Sequence, residues 1–91
     1  MPEIIFRVGL PDGATMECYS PSTIVRNYFS SGEQMPANDF LVRSRKAFIE
    51  ASQRVRAKYG FACSSAASQL HEIELRMQNY PPESTVRILQ I

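Results

Sequence analysis

At 91 residues the chain is read as one domain, long enough to bury roughly 60–65% of its unfolded surface. Its 44% hydrophobic content is ordinary for a globular protein, and a net charge of +1 supplies no global field to draw it to nucleic acid or a membrane. No run approaches the roughly 20 apolar residues that span a bilayer. Met1-Pro2-Glu3 leads straight into an alternating segment without signal-peptide character, so a cytoplasmic protein with two reduced cysteines is expected.

Ile4, Phe6, Val8 and Leu10 alternate with Ile5, Arg7 and Gly9, which predicts a strand with one fully apolar face. Pro11-Asp12-Gly13 is a turn: proline presets φ, aspartate bonds the local backbone and glycine takes positive φ. A return strand from Ala14 to Tyr19 completes a hairpin. Ser20-Pro21-Ser22 then opens a short helix with Ser20 as N-cap, and Ser30-Ser31-Gly32 stops it. Residues 33–37 read as a loop.

The stretch from Asn38 to Tyr80 holds two consecutive helix patterns. In the first, Leu41, Phe48 and Val55 recur every seven residues, and Ser44, Ala51 and Tyr59 fill the same face. Asn38 is the expected N-cap, Asp39 complements the positive dipole end, and Gly60 is the expected left-handed terminator. The opposite face carries Arg43, Arg45, Lys46, Arg54, Arg56 and Lys58 against Glu50 alone. The second pattern starts at Ser64 or Ser65 and carries Ala66, Leu70, Ile73, Met77 and Tyr80 as its apolar stripe; Pro81-Pro82 ends it. The tail from Thr85 to Ile91 alternates again and reads as a strand.

These elements predict an α+β domain: a β-hairpin, a short helix, a two-helix hairpin and a C-terminal strand, with a three-stranded sheet covered by helices on one face. The apolar first strand is expected at the centre, with the C-terminal strand parallel to it. One covered face leaves Ile5, Leu89 and Ile91 without cover, which argues for a homodimer or a protein partner.

Three segments together carry a family resemblance. They are Pro11-Asp12-Gly13 with Cys18-Tyr19-Ser20-Pro21-Ser22; Val25-Arg26-Asn27-Tyr28-Phe29; and Arg54-Val55-Arg56-Ala57-Lys58-Tyr59-Gly60-Phe61-Ala62-Cys63-Ser64. The chain resembles a family of short bacterial nitrogen starvation response proteins. That resemblance implies a gene neighbourhood with a nitrilase, a radical-SAM enzyme, an acetyltransferase and a flavin-dependent oxidoreductase, linked to nitrile or cyanide nitrogen assimilation. It brings no catalytic residues with it.

Cys63 stands at the expected start of the second helix, where backbone N–H groups stabilise a thiolate, and is the one weak catalytic candidate. His71, the only histidine, lies two turns further along, about 12 Å away at 1.5 Å per residue, too far to serve as its base. The bland reading is a small apolar residue at a tight corner, and the same holds for Cys18 on its strand. Two thiols and one imidazole fall short of the four ligands of a structural zinc site, and no cofactor motif occurs.

The basic helix face is by default a solvated face. Its functional readings are docking to an acidic partner or, with little aromatic interleaving to support it, nucleic-acid binding. The leading expectation is a non-catalytic accessory protein of nitrile-linked nitrogen metabolism that docks an enzyme of its gene cluster through Arg54, Arg56, Lys58, Tyr59 and Cys63. A small thiol-dependent enzyme or ligand-binding subunit using Cys63 is the alternative, and a nucleic-acid-binding regulator the third.

Overall fold

The computed structural model describes residues 3–60 and 64–91. The first hairpin forms as its residues dictate. Strand β1, Ile4–Gly9, pairs antiparallel with β2, Thr15–Ser20, from Ile4↔Ser20 to Gly9↔Thr15. Leu10 N–H donates to the Ala14 carbonyl at 2.8 Å, Gly13 N–H to the Leu10 carbonyl at 3.0 Å, and Ala14 N–H to Asp12 Oδ1 at 3.0 Å. Gly13 sits at φ +89°, the conformation for which glycine is suited.

After β2 the chain makes a single 3₁₀ helix, Thr23–Asn27, and its cap corrects the sequence reading. Ser22, not Ser20, is the N-cap: its Oγ accepts the Ile24 N–H at 3.3 Å. Ser20 instead closes β2, and its buried hydroxyl donates to the Ser22 carbonyl at 2.7 Å, fixing the corner. Ile24 and Val25 turn inward from the helix.

Next comes an element that the sequence reading left as loop. Gln34–Pro36 forms β3 and pairs antiparallel with β4, Thr85–Gln90, with Met35 opposite Val86. The sheet therefore has four strands, not three, in the order β2-β1-β4-β3. Strand β4 does lie beside β1, but antiparallel to it rather than parallel. The cause is β3. It carries the chain back along the sheet before the helices begin, so the two-helix excursion returns to the opposite end from the one expected.

Helix α1, Ala37–Tyr59, starts one residue before the expected cap. No side chain caps it. Its first N–H groups are met by backbone instead: Ala37 N–H donates to the Ser84 carbonyl at 2.7 Å and Asn38 N–H to the Pro82 carbonyl at 2.9 Å. Helix α2, Ser64–Met77, packs antiparallel against α1, and Arg45 faces Glu74 across the pair at 3.6 Å. The expected stripe is the observed one: Ala66, Ile73 and Met77 are buried, and Leu70 and Tyr80 pack at the margin.

The core lies between one sheet face and the helices. Ile4, Phe6, Val8, Met16, Cys18, Met35, Val86 and Ile88 meet Phe29, Phe40, Ala47, Phe48 and Ile73 there. The outer sheet face stays open, with Ile5 62% and Leu89 45% exposed. The register between β1 and β4 shifts by one residue between Arg7 and Val8. A Cβ added at Gly9 would lie 3.3 Å from Leu89 Cδ2, so glycine accommodates the leucine that leans over it. Ile91 is covered after all: it packs at the core margin, and its N–H donates to Ser31 Oγ at 3.1 Å.

Gly60 ends α1 at φ +82°, ψ +5°, with its N–H donating to the Arg56 carbonyl at 2.7 Å. Among the described residues nothing lies within 4 Å of where its Cβ would stand, and a side chain at this positive φ strains the backbone whatever the space. Gly60→Val is expected to cost at least about 1–2 kcal/mol, and Arg54→Ala, an exposed change, no more than about 0.5 kcal/mol. Equal urea midpoints for the two variants would contradict this reading of the corner.

Candidate functional site

The 23 residues of α1 extend about 34 Å at 1.5 Å per residue, close to the 39 Å long axis of the molecule. Its buried residues run from Ala37 to Val55, and the described side chains beyond Val55 are exposed. Among the described side chains, those of the last turn, Arg56 and Lys58 included, therefore stand outside the core.

The six basic residues on α1 divide into two groups. Arg43 belongs to the framework. Its Nη1 donates to Glu33 Oε2 at 2.7 Å and to the Tyr28 carbonyl at 3.3 Å, and its Nη2 lies 3.6 Å from Asp39 Oδ2. The hydrogen bond from Arg43 holds the Glu33 carboxyl below its usual range, and the same bond raises Arg43. Arg45 spans to Glu74. Glu50, the one acid on this face, accepts from Tyr28 Oη at 2.6 Å, which raises the phenol. These contacts bind the 3₁₀ helix, the loop before β3, and α2 to α1.

The second group is Lys46, Arg54, Arg56 and Lys58, all exposed. Among the described residues no ion pair reaches Lys46, Arg54 or Arg56. At 100° per residue Arg54 and Lys58 share one side of the helix, and Arg56 lies about 160° round from Lys58. The sequence-predicted docking residues are thus a basic collar around the helix end rather than one flat patch. A plain electrostatic role is also met here, since cations near a helix C-terminus offset its negative pole. Tyr59 is the last residue of α1. Cys63, with Phe61 and Ala62, falls outside the described residues.

Cys18 is a free thiol on β2 with 1% exposure. Burial, reinforced by Glu72, pushes it up to about 12. Buried and held protonated, its thiol is poorly placed to act as a nucleophile at neutral pH. His71 stands exposed on α2. Among the described residues no three His, Cys, Asp or Glu side chains gather as a ligand set, and no helix is long and apolar enough to cross a membrane.

One feature escaped the sequence reading altogether. A cleft of about 420 Å³ lies between β2 and the second half of α2, lined by Thr15, Met16, Glu17, Glu72, Leu75, Arg76 and Asn79. No motif announces it, because its walls come from residues nearly sixty positions apart.

The family model described as nitrogen starvation-induced protein NitG matches residues 5–91. No curated protein and no solved structure gives a significant match.

The state of Cys18 gives a direct check. Alkylation of the native protein at pH 8 is expected to leave Cys18 unmodified, with labelling only after unfolding in urea. Peptide mapping that found Cys18 labelled in the folded state would contradict its burial.

Proposed function

Since the chain belongs to the nitrogen starvation-induced NitG family, we propose that it works as a non-catalytic accessory protein of nitrogen metabolism, docking in the cytoplasm to an enzyme encoded in its own gene cluster. The family match supports the physiological setting. The link to nitrile-derived nitrogen and the enzyme partner are finer statements, and they rest on the resemblance of its segments.

The observation that carries docking is the exposed basic end of α1. Arg43 and Arg45 pair with acids of the framework, whereas Arg54 and Arg56 are exposed with no ion pair among the described residues, and Lys58 is exposed beside them. Bases held on a rigid helix, with their side chains in water, suit electrostatic steering of an acidic surface. Exposed arginines also combine an apolar stem with a planar donor array, which favours them at interfaces.

The test compares the tagged wild-type protein with an Arg54→Glu, Arg56→Glu, Lys58→Glu variant in nitrogen-starved cells. The wild type is expected to recover an enzyme of the neighbouring genes, and the variant to bind it at least about tenfold more weakly at low salt. An unchanged circular dichroism spectrum would show that the variant still folds. Recovery of none of the neighbouring gene products by the wild type would overturn the proposal.

A further inference from the structure

The two edges of the sheet are treated differently. Strand β3 is only three residues long and ends in Pro36, so it offers little to an incoming strand. Strand β2 is six residues long and lies at the other edge. In an antiparallel pair, residues alternate between bonding their partner and facing away. Leu10 N–H bonds the Ala14 carbonyl, which sets the alternation so that Met16, Cys18 and Ser20 bond β1. Thr15, Glu17 and Tyr19 therefore direct their backbone N–H and C=O groups outward.

Tyr19 shows that this edge accepts bonds of the kind a strand would make. Its N–H donates to Gln69 Oε1 of α2 at 2.9 Å, so a side-chain amide stands where a neighbouring backbone carbonyl would be. Further along, the helix leaves the edge uncovered, and the cleft opens beside Thr15 and Glu17. Its far wall is α2, where Leu75 is 50% exposed. The cleft volume falls in the range of about 300–1,000 Å³ that holds small ligands.

We propose that this cleft receives an extended, basic peptide segment of a partner protein, which adds to β2 as a fifth strand between the sheet edge and α2. Main-chain bonds to Thr15 and Glu17 supply the affinity common to strand addition, and the pocket beside the strand reads alternate side chains. Leu75 takes an apolar side chain. The charge of the site is set by Glu17 and Glu72. Arg76 lines the same cleft, and its charge also acts on Asp12 and Tyr80, whose Oη donates to Asp12 Oδ2 at 2.9 Å, so two carboxylates stand against one guanidinium there. Among the described residues Glu17 is met by an exposed 3.6 Å approach from Arg7. A lysine or arginine in the added strand thus meets a site of net negative charge, with Glu17 on the outer face of β2 and Glu72 on the α2 side.

The same charges disfavour a second copy. Pairing β2 with its own two-fold mate would bring the two Glu17 side chains together on the outer face and set α2, with Glu72, against its own copy on the other. The proposal goes beyond docking through Arg54, Arg56 and Lys58, which lie at the opposite end of the helix pair, and it stands or falls separately from that reading.

The experiment uses a capped seven-residue peptide alternating valine with lysine, titrated into the ¹⁵N-labelled full chain. It is expected to shift the Thr15, Glu17 and Leu75 amide signals and to slow hydrogen exchange at Thr15 and Glu17. The controls are the same peptide with N-methylated backbone, a valine–glutamate peptide, and a Glu17→Lys, Glu72→Lys variant that retains its urea midpoint. Each is expected to weaken binding at least about tenfold, through lost main-chain bonds or through like charge. The charge reversal of Arg54, Arg56 and Lys58 should leave this titration unchanged. No shifts at millimolar lysine peptide, equal binding by the N-methylated or glutamate peptide, or shifts explained by self-association in sedimentation would each overturn the proposal.

Discussion

The fold depends on four phenylalanines that meet where the sheet, the 3₁₀ helix and α1 converge. Phe6 of β1 lies 6.0 Å from Phe29, ring centroid to centroid, and 6.4 Å from Phe48 of α1; Phe29 lies 5.4 Å from Phe40. All are at most 2% exposed. Tilted and offset ring pairs at these separations contribute about 0.5–1.5 kcal/mol each beyond their buried area. Phe29 is the junction. It follows an isolated single-turn element with few backbone bonds of its own, and it ties that element to both layers. The ion pair of Arg43 with Glu33 and the bond from Tyr28 to Glu50 then close the outer edge of the same junction.

That frame explains what the surfaces present. Helix α1 is packed from Ala37 to Val55, and the described side chains of its basic end beyond Val55 are exposed. Helix α2 lies across the sheet and covers β2 at Tyr19 but not at Thr15 and Glu17. Neither is a defect of packing, since Ala47, Ala51 and Ala66 at the interior are fully buried and allow the helices to lie close.

Much of this was legible in the sequence. Period-two alternation located β1 and β4, the Pro11-Asp12-Gly13 turn fixed the hairpin, and Gly60 marked the end of α1. Local signals of this kind depend on residues a few positions apart. The errors came where partners are distant. Strand β3 is too short to show a period, and it exists because β4 pairs with it across fifty positions. Missing it also reversed the direction of β4. Asn38 looked like a cap, but carbonyls of Pro82 and Ser84 were already in place. The basic residues were visible, yet nothing local distinguished Arg43, which is committed to Glu33, from Arg54, which is not. The cleft beside β2 left no trace at all, because an edge is defined only once the strand order is known.

The claim that Phe29 joins the two layers is open to one direct measurement: native-state hydrogen exchange in wild type and in Phe29→Ala. The substitution is expected to remove about 3–5 kcal/mol. If the junction carries the fold, the amides of Phe6, Val8, Phe48, Val86 and Ile88 will lose that protection together, because their exchange requires global unfolding. If protection falls only in Thr23–Asn27, while β1 and α1 keep their wild-type values, the 3₁₀ helix is an appendage and Phe29 does not join the layers.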